Sequence, residues 1–161
     1  MKKLEKKFIF SLCIIFLGVF CLNSVFSQSN DFLTEVIATD SITYGQVAYL
    51  TMCDLSFIEE TASESDAISA LEENFPKVVS TLSIQKTSQE LSAKQLSYIC
   101  CSVYNIKSSL MFMIFQNPRY AFRQIKSLGY FASNENEKSF VSGRKAMMII
   151  ADCSEKARMS K

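Results

Sequence analysis

The chain has 161 residues and a formal charge of +1, with six Cys, four Gly, two Pro and neither His nor Trp. Without His the commonest general base is missing, and most zinc sites and Ser-His or Cys-His catalysis go with it. Scarce Gly and Pro predict an all-α fold rather than a many-stranded sandwich, and the length suits one domain or an array of small repeats.

Lys2, Lys3, Lys6 and Lys7 precede an apolar run from Phe8 to Leu22, interrupted only by Ser11, and then SVFSQS. This is the order of a secretory signal peptide, residues 1–27, with Val25 and Ser27 at the positions a signal peptidase reads. The run is shorter than the roughly 20 residues a bilayer helix needs. Two other fates stay open: retention as an N-terminal anchor, and lipid attachment at Cys21. The mature chain, 28–161, is then exported to the periplasm or cell envelope. It contains nothing long and apolar enough to span a membrane.

Its charge is divided. From Gln28 to Pro76 there are ten acidic residues and no Lys or Arg, while Lys77 to Lys161 holds thirteen basic residues and five acidic ones. The halves either face each other within one domain or leave a basic surface for an anionic partner. Export disfavours nucleic acid, so the candidates are an anionic cell-wall polymer, lipid headgroups or an acidic envelope protein.

The first capped helix starts at Ile42-Thr43-Tyr44-Gly45-Gln46, followed by an apolar run. The pattern returns at Leu91-Ser92-Ala93-Lys94-Gln95 and Val141-Ser142-Gly143-Arg144-Lys145, at spacings of 49 and 50 residues. Thr43, Ser92 and Ser142 are placed as N-caps, whose side-chain oxygen accepts an orphan backbone N–H. Gln46 and Gln95 complete capping boxes, Lys145 does not, and Ile42, Leu91 and Val141 are placed as hydrophobic staples. A further helix precedes each capped one. Asp66–Leu71 is the weaker example. The stronger is Asn117–Gly129, with Asn117 as cap, Pro118 in the first turn, Gly129 as terminator, and Ala121, Phe122, Ile125 and Leu128 on its apolar face. The expectation is tandem helix-loop-helix repeats of about 50 residues in one compact domain, with units near 30–60, 61–110 and 111–158.

The third unit, from Tyr120 to Cys153, resembles an S-layer homology repeat. Tyr120, Ala121, Ile125, Leu128, Gly129, Phe140, Val141 and Ser142 fill that family's aromatic-Ala start, helix positions, Gly, closing Phe and aliphatic-Thr motif. The resemblance covers most of 41–153 and is weaker in the first two units. It implies bundled helical units that anchor exported proteins non-covalently to cell-wall polysaccharide. The family's motif Arg falls on Tyr44, Ala93 and Gly143.

Between the second and third units, Leu110-Met111-Phe112-Met113-Ile114-Phe115 is an uninterrupted apolar run. It reads as a short buried helix stacking the units or as an exposed surface for a protein partner or membrane interface, with Leu110, Met111, Phe112 and Phe115 as contact residues. Arg119 and Arg123 follow, four apart and so on one helix face, with Lys126 close by. Such a cluster suits phosphate or carboxylate groups. Its cations are either the ligand-binding face or solvated charges.

The mature chain keeps Cys53, Cys100, Cys101 and Cys153. They read as buried free thiols or as disulfides, with Cys53–Cys153 linking the first and last units. No CxxC, nucleophile elbow, Gly-rich phosphate loop or spaced acidic metal cluster occurs. No catalytic residue, cofactor or metal ligand is assigned. The expected function is a non-catalytic envelope module that binds an anionic wall polymer or other envelope component. The alternative is a periplasmic partner-binding scaffold using the Leu110–Phe115 surface.

Overall fold

The computed structural model describes residues 24–84, 86–106 and 110–159, with side chains from Asp31 onward. The signal-peptide reading through Asn23 lies outside the described residues. The chain divides after Glu35 into Met1–Glu35 and Val36–Lys161. Helix α1, Ser24–Ala38, runs through that division and supplies the described structure of the first unit. It also contains the expected cleavage point after Ser27.

Seven further helices follow: α2 Tyr44–Asp54, α3 Glu64–Asn74, α4 Pro76–Leu82, α5 Ala93–Val103, α6 Leu110–Phe115, α7 Pro118–Ser127 and α8 Gly143–Met159. Among the described residues there is no strand, only two isolated antiparallel bridges. The fold is all-α.

Local chemistry accounts for where the helices begin. At α2, Thr43 N–H donates to Gln46 Oε1 at 3.0 Å and Gln46 N–H to Thr43 Oγ1 at 3.3 Å, so each satisfies an orphan group of the other. At α5, the Ser92 N–H and hydroxyl both donate to Gln95 Oε1, at 3.0 and 2.6 Å. Ser63 and Asp66 form a third capping box at α3, which moves the predicted 66–71 helix start to residue 64. The Ser63 hydroxyl and N–H hold the Asp66 carboxyl below its usual range. Pro118 opens α7, with Asn117 Oδ1 accepting from the N–H groups of Arg119 and Tyr120 at 3.0 and 3.2 Å. Pro76 opens α4, and Ser83 in the left-handed region (φ 50°) closes it.

The three cap segments then meet. Tyr44 N–H donates to Gln89 O at 2.9 Å, Ala93 N–H to Ser139 O at 2.8 Å, and Gly143 N–H to Thr39 O at 2.9 Å. Each capped helix therefore begins on a carbonyl from the segment leading into another, and the three donations close a cycle. Gly45 N–H to Thr87 O and Lys94 N–H to Glu137 O repeat the relation one residue further on. Ile42 N–H reaches Val141 O at 2.8 Å, and Leu91 N–H reaches Ile42 O at 2.9 Å. At the centre the staple residues Ile42, Leu91 and Val141 are buried.

Helix packing is laid over this junction. The most extensive helix contacts are α5 with α7 and α2 with α3, and α8 touches both α2 and α5. Both main pairs cross the expected unit boundaries near residues 60 and 110, because α2 and α5 each cover their apolar side with a helix that follows in the chain. At the end of α2, Arg158 Nη2 donates to Asp54 Oδ1 at 2.9 Å, an ion pair joining the acidic and basic halves.

Candidate functional site

Helix α7 builds the basic face. Ala121, Phe122 and Ile125 point inward, with Gln124 also buried and its Nε2 donating to Ile106 O at 2.6 Å. The opposite side is left to Arg119 and Arg123. The Arg119 side chain is 65% exposed, with its Nε 3.9 Å from Glu137 Oε2, a separation too long to neutralise it firmly. Arg123 is exposed and sits over the Tyr120 ring, 5.8 Å from the ring centroid.

Lys126 does not join this pair. After Gly129, whose φ of 92° suits a residue without a Cβ, the chain folds back along α7. Lys126 Nζ donates to Ser133 O and Glu135 O at 2.8 and 2.9 Å and lies 5.5 Å from the Phe122 ring centroid. Its charge braces the 130–139 loop. Lys145 completes the brace from α8, pairing with Glu135 and lying 4.7 Å from the Phe131 ring centroid. The Lys145 ammonium holds the Glu135 carboxyl below its usual range. The anion-binding candidates are thus Arg119 and Arg123, with Lys126 as a support of the neighbouring loop.

Helix α6 is mostly exposed rather than buried. Leu110, Met111 and Phe115 stand in solvent, as do Met113 and Ile114, which the sequence reading left out of the contact set. Phe112 is the correction: it is buried and meets Tyr98 edge-on at 6.1 Å. A six-residue helix has one turn to press against the core, and Phe112 occupies it. Behind α6 lies a cavity of about 400 Å³, walled by Val78, Tyr98, Cys101, Ile106 and Phe112, with Lys77 as the one charged residue among the described residues that line it.

At the junction the helix-opening positions Tyr44, Ala93 and Gly143 are all buried. A Cβ on Gly143 would lie 1.7 Å from Val36 O, so that position admits no side chain as the backbone stands. Burial, then the charge of Glu72, pushes the Tyr44 hydroxyl up to about 12. The predicted caps differ in use: Thr43 is half-buried, Ser92 is buried, and Ser142 is exposed with its carbonyl accepting Ala146 N–H at 2.9 Å.

The four described cysteines are free thiols. Cys53 Sγ donates to Glu59 O at 3.8 Å, near Tyr49, whereas Cys153 shares a hydrogen bond with Cys100. Cys153 therefore has Cys100 as its thiol neighbour, not Cys53. That bond, followed by burial, keeps the Cys100 thiol protonated far above its usual range. Burial does the same for Cys101. Beside them the Tyr104 hydroxyl is pushed up by burial and by Asp54.

Among the described residues no three His, Cys, Asp or Glu side chains converge as metal ligands, and no helix is long and apolar enough to cross a membrane. Comparison with family models, curated proteins and solved structures finds no match to this chain.

Proposed function

We propose that the chain is an exported, non-catalytic module of the cell envelope, built from tandem helical units resembling S-layer homology repeats. In this reading it holds clustered phosphate or carboxylate groups of an envelope component, a wall polymer among them, at the Arg119–Arg123 face. The tandem reading is supported by the closed cycle in which Tyr44, Ala93 and Gly143 donate to Gln89, Ser139 and Thr39. The three donors are equivalent positions, and their acceptors lie two residues before Leu91 and Val141 and three before Ile42, the near-equivalence that a diverged threefold repeat would leave. Because the positions of the family's motif Arg are buried, they are unsuited to holding a polymer, and the exposed guanidiniums of α7 take that role.

The observation that carries the ligand class is the pairing of two exposed arginines on one helix face, neither of them firmly neutralised. Arg suits planar, bidentate recognition of carboxylate and phosphate. Full chain and its Arg119→Glu/Arg123→Glu variant are compared at low salt for retention on polyphosphate-coupled beads and on isolated cell-wall sacculi. Retention on either matrix should fall at least roughly tenfold in the variant, the loss expected from removing one hydrogen bond to a charged group. Equal retention, with unchanged thermal melting, would sink the reading. Retention on sacculi assigns the anion to the wall.

A further inference from the structure

Helix α6 carries five exposed large apolar residues out of six: Leu110 (70%), Met111 (45%), Met113 (48%), Ile114 (62%) and Phe115 (55%). Soluble surfaces scatter such residues singly, and a contiguous group marks a contact. The helix is not loose apolar chain, because Phe112 anchors it to Tyr98 from the inner side.

The sequence around it carries one sign of charge, with Glu137 approaching Arg119 in space from the later loop. From Leu91 to Asn134 the sequence contains no Asp or Glu, and it holds Lys94, Lys107, Arg119, Arg123 and Lys126. Two cations, Arg123 and Lys77, border the apolar residues in space. Phe115 stacks on Tyr120 at 5.4 Å, and Tyr120 in turn lies under the Arg123 guanidinium. Arg119 projects from the same face of α7 as Arg123. On the other flank, Lys77 Nζ donates to Gln116 Oε1 at 2.5 Å, immediately after α6.

An apolar wedge inside a cationic rim matches the interface of an anionic bilayer. Apolar side chains enter the acyl boundary while Lys and Arg heads stay among the phosphates. A fluid surface also asks for no fixed shape, which suits flexible Met side chains and a helix of under two turns. We infer that α6 is a lipid-docking wedge, entering the headgroup region of an anionic membrane while Lys77, Arg119 and Arg123 hold headgroup phosphates. This rests on the reading of Arg119 and Arg123 as an anion-binding face, and adds that lipid supplies the anions.

The chain contains no Trp, so Phe115→Trp creates a single fluorescent reporter on the wedge. Full-length Phe115→Trp chain is mixed with phosphatidylglycerol vesicles, some with brominated acyl chains, and with phosphatidylcholine vesicles. Met159→Trp, at a residue 76% exposed near the end of α8, serves as the control reporter for contact made by any other part of the chain. Position 115 should shift to the blue and be quenched several-fold more than position 159, with phosphatidylglycerol only. Arg119→Glu/Arg123→Glu in the same background should weaken the local docking equilibrium, on the order of five-fold per cation lost. Circular dichroism must match wild type in every variant.

A reporter at 115 that stays water-exposed, or is quenched no more than position 159, overturns the inference. So does an equal response to phosphatidylcholine, or a shift produced by a soluble acidic protein and not by vesicles. Retention on polyphosphate beads without a shift at 115 removes the lipid inference and leaves the anion-binding reading standing. Loss of both removes both.

Discussion

At the cap junction Ile42, Leu91 and Val141 are buried, and the first N–H groups of three helices are bonded to loop carbonyls of the same chain. Some residues away, Leu110, Ile114 and Phe115 are of similar kind yet more than half exposed, beside two arginines without firm partners. The junction has used its backbone N–H groups internally and buried its apolar side chains, leaving only the Tyr44 hydroxyl buried without a partner among its described polar groups. The α6–α7 corner leaves both apolar and cationic side chains exposed. In the proposed reading stability and recognition lie in different places: what is satisfied within the chain holds the fold, and what is left unsatisfied is free to hold something else.

Mutation can break that division. Leu91→Ala empties a fully buried site and should destabilise the protein by about 2–5 kcal/mol, read from urea unfolding. Leu110→Ala, 70% exposed, should change stability by no more than about 0.5 kcal/mol. Similar losses at the two positions would erase the contrast. Gly143→Ala comes next, since its Cβ must displace the Val36 backbone carbonyl. Overpacking of that kind costs roughly 1–3 kcal/mol. Gly45→Ala should cost less, because there the nearest atoms are the ends of the Glu64 and Thr87 side chains, which can move. Equal melting shifts for the two glycine variants would mean that Val36 yields as easily as those side chains.

The smallest effect lies in the brace between the two regions. Lys145 depresses the folded-state carboxyl of Glu135 below its unfolded value. Its contribution is present above the unfolded carboxylate range and is lost as pH falls through the depressed folded value. The Glu135 side chain is 32% exposed and that of Lys145 is 27% exposed, so solvent screening keeps the contribution below about 1 kcal/mol. Wild type should exceed Glu135→Gln in urea midpoint at pH 6, and the difference should fade below pH 4. A pH-independent difference would show that the loop depends on the hydrogen bonds of this residue and not on its charge.

Much of the helical fold was legible because its signals are local. A capping box connects residues three apart, so Thr43 with Gln46 and Ser92 with Gln95 can be read without knowing any tertiary contact. Asn117, Pro118 and Gly129 mark the ends of α7 in the same way. Ser63 with Asp66 carries the identical signal at α3, and spacing would have found it. The remainder depends on contacts between distant residues. An apolar run such as Leu110–Phe115 does not state which of its sides is covered, and only the fit of Phe112 against Tyr98 decides it. Nor does helical spacing reveal that Lys126 is drawn off by carbonyls at Ser133 and Glu135, because that depends on how the loop returns after Gly129. The cysteines are similar: Cys153 meets Cys100 because α8 lies along α5.

The closed cycle at the helix starts also sets the order in which the protein can form. Its bonds join Tyr44 to Gln89, Ala93 to Ser139, and Gly143 back to Thr39, so each closes a long loop before it is rewarded. Such bonds raise the contact order above that of a simple bundle of hairpins, and a higher contact order means slower folding. A nascent chain that ends before Ser139 leaves the N-terminus of α5 without its acceptor and α8 unmade. The earlier helices then wait, half assembled, for the last one. A chain delivered amino end first would complete its core only when its carboxyl end arrives.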